Sequence, residues 1–229
     1  MKRVHCIVEG QTEVKVFSTL LIPYLEEKVG AYVDIRITPI KHTGGGIVKF
    51  SKLKEELRNH LLDKGKIVTT FFDYYGIHPN LHFPNYEAAK VKQQNPIVGA
   101  KLLEEGMSNY LSEELGLDTR YFIPYIQLHE FEALLFSSSE GFEFQYDDVK
   151  ILDELQKVRN RFPNPEDIND SPETAPSKRL IKILKANGEA YNKVADGEDI
   201  ATIVGLDTIL QKCPRFKQWI SELIAKIQE

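Results

Sequence analysis

The hydrophobic residues of this chain follow two patterns that alternate along its first half. Apolar and polar residues alternate, or apolar residues run almost uninterrupted, in four short segments: residues 3–8, 32–38, 66–72 and 120–127. Apolar residues at helical spacing separate them, from residue 12 onward, over 47–62, and over 86–115 with an interruption at Pro96. The first pattern predicts β-strands and the second predicts α-helices. The segment 66–72 is typical of a buried strand in a parallel sheet.

The order of these segments predicts an α/β fold, Rossmann-like, with a mainly parallel sheet of about four strands between helices. Pro23 is expected to kink or split the first helix. A further helix is predicted over 129–136, a proline-rich loop or hinge over 162–176, and helical spacing over 177–229. We therefore expect an α/β domain over residues 1–136 and a mainly helical C-terminal appendage over residues 137–229.

Composition narrows the class of protein. Of the 229 residues, 42% are hydrophobic and 28% are charged, as in a soluble globular protein, and no apolar run approaches the ~20 residues of a membrane span. The start lacks the apolar core of a secretory signal, and Cys6 and Cys213 show no metal or redox spacing, so we expect a cytoplasmic protein. The net charge of −5 provides no overall basic field, so a phosphate-containing substrate requires local lysines or bound cations.

Acidic residues follow three of the four predicted strands. Glu9 follows the first strand, Asp73 the third, and Glu130 and Glu132 the fourth. Because the carboxyl ends of parallel strands meet at one edge, these carboxylates are expected to converge there, and Glu13 is one helical turn from the same cleft. Carboxylates held close together repel one another unless a cation neutralises them, and such sites suit Mg²⁺ or Mn²⁺. The chemistry indicated is metal-assisted phosphoryl transfer.

The N-terminal acids also have a simpler interpretation. Gly10 permits a sharp turn after the first strand, and Thr12 is a reasonable N-cap for the following helix. In the alternative, Glu9 is an ordinary loop acid and Glu13 only complements the helix dipole.

The acids near residue 130 are not equivalent. If 129–136 is helical, His129 and Glu132 share a face while Glu130 is turned roughly 100° away, so at most one glutamate is expected to bind metal. In the alternative, His129 and Glu130 cap and solvate a surface helix.

Several weaker patterns leave two interpretations open. Gly44–Gly46 predicts a flexible loop, from which Lys41 and His42 could reach substrate, rather than a phosphate-binding loop. A basic helical face indicates either contacts with phosphate or an ordinary solvated surface, and its residues are Lys178, Arg179, Lys182 and Lys185. An aromatic loop indicates either stacking on bases or packing on the sheet edge, and its residues are Tyr74, Tyr75, His78 and His82. Phe216 and Trp219 are expected to be core residues.

Two motifs resemble the Toprim fold of topoisomerases, primases and OLD-type nucleases: Val-Glu-Gly-Gln-Thr-Glu at 8–13 and Phe-Phe-Asp-Tyr-Tyr at 71–75. That family pairs a glutamate after its first strand with an Asp-x-Asp motif after its third. With His-Glu-Phe-Glu-Ala-Leu-Leu-Phe at 129–136 and Cys-Pro-Arg-Phe-Lys-Gln-Trp at 213–219, the chain is identified as a member of a bacterial Toprim-like group, domain-of-unknown-function family 4276. Members of such groups are often encoded beside ABC-type ATPases and suspected of phage defence.

The resemblance assigns roles to these residues. It implies that Glu9 is the general acid/base or a metal ligand and that Asp73 is the first metal-binding aspartate. The second acid of Asp-x-Asp is Tyr75 here, a poor Mg²⁺ ligand, and Glu130 or Glu132 is the candidate replacement. The expected ligands of Mg²⁺ or Mn²⁺ are therefore Glu9, Glu13, Asp73, Glu130 and Glu132. The residues expected to contact substrate are Gly10, Thr12, Lys41, His42, Tyr75 and His129.

Three functions follow from these expectations. The first is a Toprim-like, divalent-metal-dependent nuclease that cleaves DNA or RNA, or a related phosphotransferase, and a phage-defence effector working with an ABC- or AAA-type ATPase. The second is a catalytically inactive Toprim-like module that binds nucleic acid or a partner ATPase. The third is a phosphate-handling receiver-like or small-molecule α/β enzyme, because a fold does not determine a function.

Overall fold

The computed structural model describes residues 2–40, 47–92, 95–168 and 174–229, and a parallel β-sheet organises its first part. Strand β1 (Arg3–Val8) lies between β2 (Asp34–Pro39) and β3 (Lys66–Asp73). The short strands β4 (Phe122–Ile123) and β5 (Ile126–Gln127) both pair with β3, and the strand order is β2-β1-β3-β4. Every described strand pair is parallel. The predicted α/β fold, a parallel sheet of about four strands between helices followed by C-terminal helices, is confirmed.

The predicted fourth strand is divided in two. Between β4 and β5, Pro124 has no N–H group to donate. At the next residue, the hydroxyl of Thr70 accepts the N–H of Tyr125 and donates to its carbonyl, both at 3.0 Å. Hydrogen bonds to the Thr70 side chain thus replace the backbone hydrogen bonds between β3 and the residues that separate β4 from β5.

The helix after β1 differs from the expectation at two residues. Helix α1 (Gln11–Val29) begins one residue before Thr12, so Thr12 lies inside the helix and is not its N-cap. The helix also continues through Pro23 and is not split there. Pro23 is exposed, while Leu21 and Leu25 are buried on either side of it, so burial holds the helix in place despite the hydrogen bond that the proline lacks.

The chain forms two compact units. The first comprises Met1–Gly10, Leu25–Leu128 and Trp219–Glu229, and the second comprises Gln11–Tyr24 and His129–Gln218. Besides the sheet, the first unit contains α2 (Phe50–Leu61), α3 (Tyr86–Val91) and α4 (Pro96–Asn109). The second contains α5 (Glu132–Leu135), α6 (Glu140–Gln145), α7 (Val149–Arg161), α8 (Pro176–Ala186), α9 (Ala195–Val204) and α10 (Leu206–Lys212). Helix α11 (Pro214–Gln228) begins in the second unit and ends in the first. The domain boundary at residue 136 stays a prediction.

Aromatic side chains occupy the core of each unit, as predicted. In the first unit, Trp219 stacks on Tyr125 with ring centroids 4.7 Å apart and donates its indole N–H to Thr69 at 2.8 Å. In the second unit, Phe216 is buried against Phe17. None of the described helices combines the length and apolarity needed to cross a membrane.

Candidate functional site

Glu9 and Asp73 lie at the carboxyl ends of neighbouring strands in the first unit. Val8 pairs with Phe71, so Glu9 directly follows β1, and Asp73 is the last residue of β3. Gly76 lies beside both acids. A methyl group on Gly76 would be 3.9 Å from Glu9 Oε2 and 3.8 Å from Asp73 Cβ. The structure therefore brings these two predicted site residues to one small space, which glycine leaves open.

Tyr75 holds the Asp73 side chain in place through its backbone. The Tyr75 N–H donates to Asp73 Oδ1 at 2.9 Å, so the Asp73 side chain caps the short 3₁₀ turn Tyr74–Gly76. Burial and the negative charge of Asp73 raise the pKa of the Tyr75 phenol. The phenol therefore stays neutral at physiological pH and supplies no anionic ligand where the resemblance expects a second acid.

The aromatic loop after β3 divides into a buried and an exposed part. Tyr74 is buried, and a side chain at Gly99 would overlap its hydroxyl. Tyr75, His78 and His82 are exposed. Packing on the sheet edge thus accounts for Tyr74, while stacking on bases stays a prediction for the other three. The predicted substrate contacts Lys41 and His42, and the Gly44–Gly46 loop, lie outside the described residues.

The helix predicted over 129–136 is a single turn, α5, so its predicted length is wrong. His129 and Glu130 precede this turn, and all four of its residues are buried, which also rules out a surface helix. The physical reason is that both preceding residues interact with other segments of the second unit. His129 hydrogen-bonds with the backbone of Glu166, and Glu130 Oε2 accepts the N–H of Ser177 at 2.8 Å, at the start of α8.

Burial sets the charge of His129. The side chain is 3% exposed, and desolvation lowers its pKa to about 4. The imidazole is therefore neutral at physiological pH. Its predicted role in contacting substrate stays a prediction, and the buried position makes a direct contact with a large substrate difficult.

Glu132 is ion-paired with a lysine that the sequence did not point out. The Glu132 side chain has no exposed surface, and Lys193 Nζ lies 3.2 Å from its Oε1. Burial raises the pKa of Glu132 to about 7, although the charge of Lys193 opposes the change. Burial opposes the ammonium form of Lys193, but the charges of Glu132, Glu13 and Glu130 outweigh it and raise the lysine pKa. The negative charges of three predicted metal ligands therefore all stabilise the ammonium group of Lys193.

Two tyrosines belong to the same part of the second unit. Burial raises the pKa of both Tyr146 and Tyr191, and the charge of Glu132 adds to the effect at Tyr191. Within the described ranges, neither hydroxyl has a hydrogen-bond partner. A side chain at Gly197 would meet the Tyr191 hydroxyl at 3.1 Å and Thr12 Cγ2 at 3.8 Å, so Thr12 is packed inside this unit.

Glu166 is a buried acid that the sequence did not point out. It is 1% exposed, and its two oxygens accept the N–H groups of Arg215 and Phe216 at 2.9 and 3.0 Å, at the start of α11. Since the four N-terminal N–H groups of a helix lack partners within the helix, this carboxylate has a structural function. The lysines predicted to form a basic face on α8 are exposed, and a phosphate-contacting role for them stays a prediction.

The first unit thus defines a class of protein: a parallel α/β fold with two carboxylates at adjacent strand ends. The chain belongs to the DUF4276 family, described as a domain of unknown function, whose model matches residues 8–224. No curated protein matches it. Among solved structures, it is similar to the C-terminal region of the Burkholderia pseudomallei OLD protein, with 16% identity, full coverage of both chains and a TM-score of 0.47.

Proposed function

We propose that this protein is a divalent-metal-dependent nuclease in which Glu9 and Asp73 bind Mg²⁺ or Mn²⁺. The observation that carries the proposal is the position of Glu9 and Asp73, at the ends of adjacent parallel strands and both close to Gly76. Ligands of open α/β sheets bind at this edge. The proposed substrate is DNA or RNA, because phosphodiesters bring the further oxygen ligands that such a metal requires.

The donor set agrees with this cation. Mg²⁺ is usually bound by one or two carboxylates, with water and substrate phosphate completing its shell. No group of three or more His, Cys, Asp or Glu side chains suited to a metal occurs in the described part of the chain, so a site built entirely from protein ligands is not indicated there. A pair of carboxylates beside an open glycine fits the sparser magnesium arrangement. When bound, such an ion activates water and stabilises charge on the leaving oxygen.

Residues of the chain carry out the other tasks of the proposed reaction. Glu9 follows a rigid buried strand, and in the proposal its carboxylate accepts the proton of the attacking water. Asp73 is oriented by the Tyr75 N–H, which holds Oδ1 and fixes the direction of Oδ2. Gly76 leaves room for the phosphate because it carries no side chain. The ligand roles of Glu13, Glu130 and Glu132 stay predictions, and Lys193 competes with a metal for their negative charge.

The family resemblance adds a partner to the proposal. It implies an ABC- or AAA-type ATPase as the protein that controls the nuclease, and phage defence as its biological setting. An effector of this kind is expected to cleave slowly by itself and faster with its ATPase.

A specific observation also favours a second function, that of a non-catalytic module that binds nucleic acid or the ATPase. Tyr75 occupies the position of the second acid of the Toprim motif and stays neutral. Glu132, one candidate to replace that acid, is already paired with Lys193. The two functions differ in whether metal binding at Asp73 is followed by cleavage.

Metal binding and cleavage, measured on the same protein preparations, test the proposal. Plasmid DNA, single-stranded DNA and total RNA are incubated with the full chain and Mg²⁺ or Mn²⁺, and Mn²⁺ binding is measured by calorimetry. Asp73→Asn should abolish both metal binding and cleavage. Asp118→Asn is the matched control, because Asp118 is exposed, paired with Arg120 and located before β4, at the opposite end of the strands.

The outcomes distinguish the two functions and test the proposed site. Cleavage that is lost in Asp73→Asn but kept in Asp118→Asn supports the nuclease. Metal binding at Asp73 without cleavage, also when the ATPase is added, supports the non-catalytic module. Cleavage that persists in Asp73→Asn contradicts the proposed site.

A further inference from the structure

Strand β2 is an edge of the sheet with hydrogen-bonding groups directed away from it. Among the described strands, β2 pairs only with β1. The Ile40 N–H donates to Val8 O at 2.9 Å, which fixes the side of the strand that faces β1. Because the peptide groups of a strand alternate between its two sides, the N–H and C=O groups of Ile35 and Ile37 point away from β1. An edge of this kind is a template for pairing with another strand.

The available part of this edge is short. The Val33 N–H, which points the same way, donates to Glu26 Oε1 at 3.4 Å. Pro39 has no N–H. The outward donors within β2 are therefore those of Ile35 and Ile37, which limits the ways in which a second strand can align.

Two opposite charges lie on one face of the same edge. Asp34 and Arg36 are two residues apart and therefore share a face of the strand. Arg36 Nε lies 3.6 Å from Asp34 Oδ1, and the Arg36 side chain is 73% exposed. The segment Asp34-Ile35-Arg36 can pair favourably with an antiparallel copy of itself, because the acid of each strand then lies opposite the base of the other.

Two-fold axes at Ile35, Arg36 and Ile37 give alignments of two β2 strands that are not equivalent. An axis at Arg36 places two like charges opposite each other, which is destabilising. An axis at Ile37 places Arg36 opposite the uncharged Thr38, so the two charges gain no opposite partner. An axis at Ile35 makes the two Ile35 residues a hydrogen-bonded pair and places each Asp34 opposite Arg36 of the second copy.

We propose that a second copy of this chain pairs antiparallel with β2, about a two-fold axis at Ile35, and joins the two sheets into one. The interface is self-complementary, as a two-fold dimer requires, and each copy contributes the same residues. The dimer uses residues of the first unit only and does not depend on the proposed nuclease activity.

Charge reversal tests the alignment. Sedimentation equilibrium of the full chain should show a monomer–dimer equilibrium that weakens with added salt. Asp34→Arg places arginine opposite arginine twice, and the dimer dissociation constant should increase about tenfold or more. The double variant D34R/R36D reverses both charges, restores two attractive pairs and should recover the affinity of the original protein. Asp118→Arg is the matched control, because Asp118 and Arg120 form an exposed pair with the same spacing away from β2.

Ile35→Pro tests the backbone contact independently of charge. The substitution removes an N–H that points away from β1, so the sheet should stay folded by circular dichroism while the dimer dissociates. A chain that is monomeric at its highest soluble concentration overturns the proposal. So does a dimer that tolerates Asp34→Arg, or one that D34R/R36D fails to restore.

Discussion

The substitution Glu132→Gln tests how much the burial of this carboxylate costs the folded protein. The side chain has no exposed surface, and burial raises its pKa from 4.5 to about 7 even with Lys193 beside it. At about 1.4 kcal/mol per pH unit, this difference means that the ionised carboxylate destabilises the folded state by about 3 kcal/mol above pH 7. Glutamine has nearly the same shape and no charge.

The pH at which the effect occurs follows from the direction of the pKa change. The folded protein holds the proton more strongly than the unfolded chain does. The original protein therefore loses stability as the pH rises from 4.5 through about 7, whereas below 4.5 the carboxyl is neutral in both states. The free energy of unfolding of Glu132→Gln, relative to the original protein, should increase by about 3 kcal/mol over this range. Any constant effect of the buried amide cancels in this comparison.

Urea unfolding followed by far-ultraviolet circular dichroism, repeated across this pH range, measures the difference. Glu154→Gln is the control, since it makes the same change on the exposed side of α7. A flat pH dependence for Glu132→Gln would show that the carboxylate is solvated in the folded protein, and the reasoning from burial would be wrong.

Three further substitutions test other parts of the structure. Gly76→Ala should fold normally, because its methyl group meets Glu9 Oε2 at an ordinary contact distance, yet calorimetry should show weaker Mn²⁺ binding. Glu166→Ala should destabilise the protein by about 1–3 kcal/mol in urea unfolding, because it leaves buried N–H groups at the start of α11 without their acceptor. Thr69→Val should cost about 1–3 kcal/mol and shift the fluorescence of Trp219, the single tryptophan, because the indole N–H loses its acceptor.

The sheet could be predicted from the sequence because its signal is local. Strand β1 has the predicted bounds, and β3 differs only by including Asp73. Both strands are almost entirely buried, so their hydrophobic runs are continuous and end where the chain turns. Since parallel strands end at a common edge, the proximity of Glu9 and Asp73 also follows from their places after these strands.

The contacts of the second unit could not be predicted in this way. Lys193 lies in a segment between α8 and α9 with no periodic pattern, so nothing in the sequence points to its contact with Glu132, 61 residues earlier in the chain. The turn α5 was predicted to be longer because its apolar residues have helical spacing. Its extension is prevented by the contacts of His129 and Glu130 with distant segments, which the local sequence does not contain.

The roles of the buried acids show why the proposed chemistry is assigned to the first unit. In the second unit, Glu130 and Glu166 accept N–H groups at the starts of two helices, and Glu132 is paired with an ammonium. A carboxylate that already has a partner in the fold would have to give up that partner to bind a metal, and this exchange costs free energy. Glu9 and Asp73 follow strands that the hydrophobic core already holds, and the Tyr75 N–H binds Oδ1 of Asp73. Loss of cleavage in Asp73→Asn, with stability unchanged, would establish this division between structural and chemical acids.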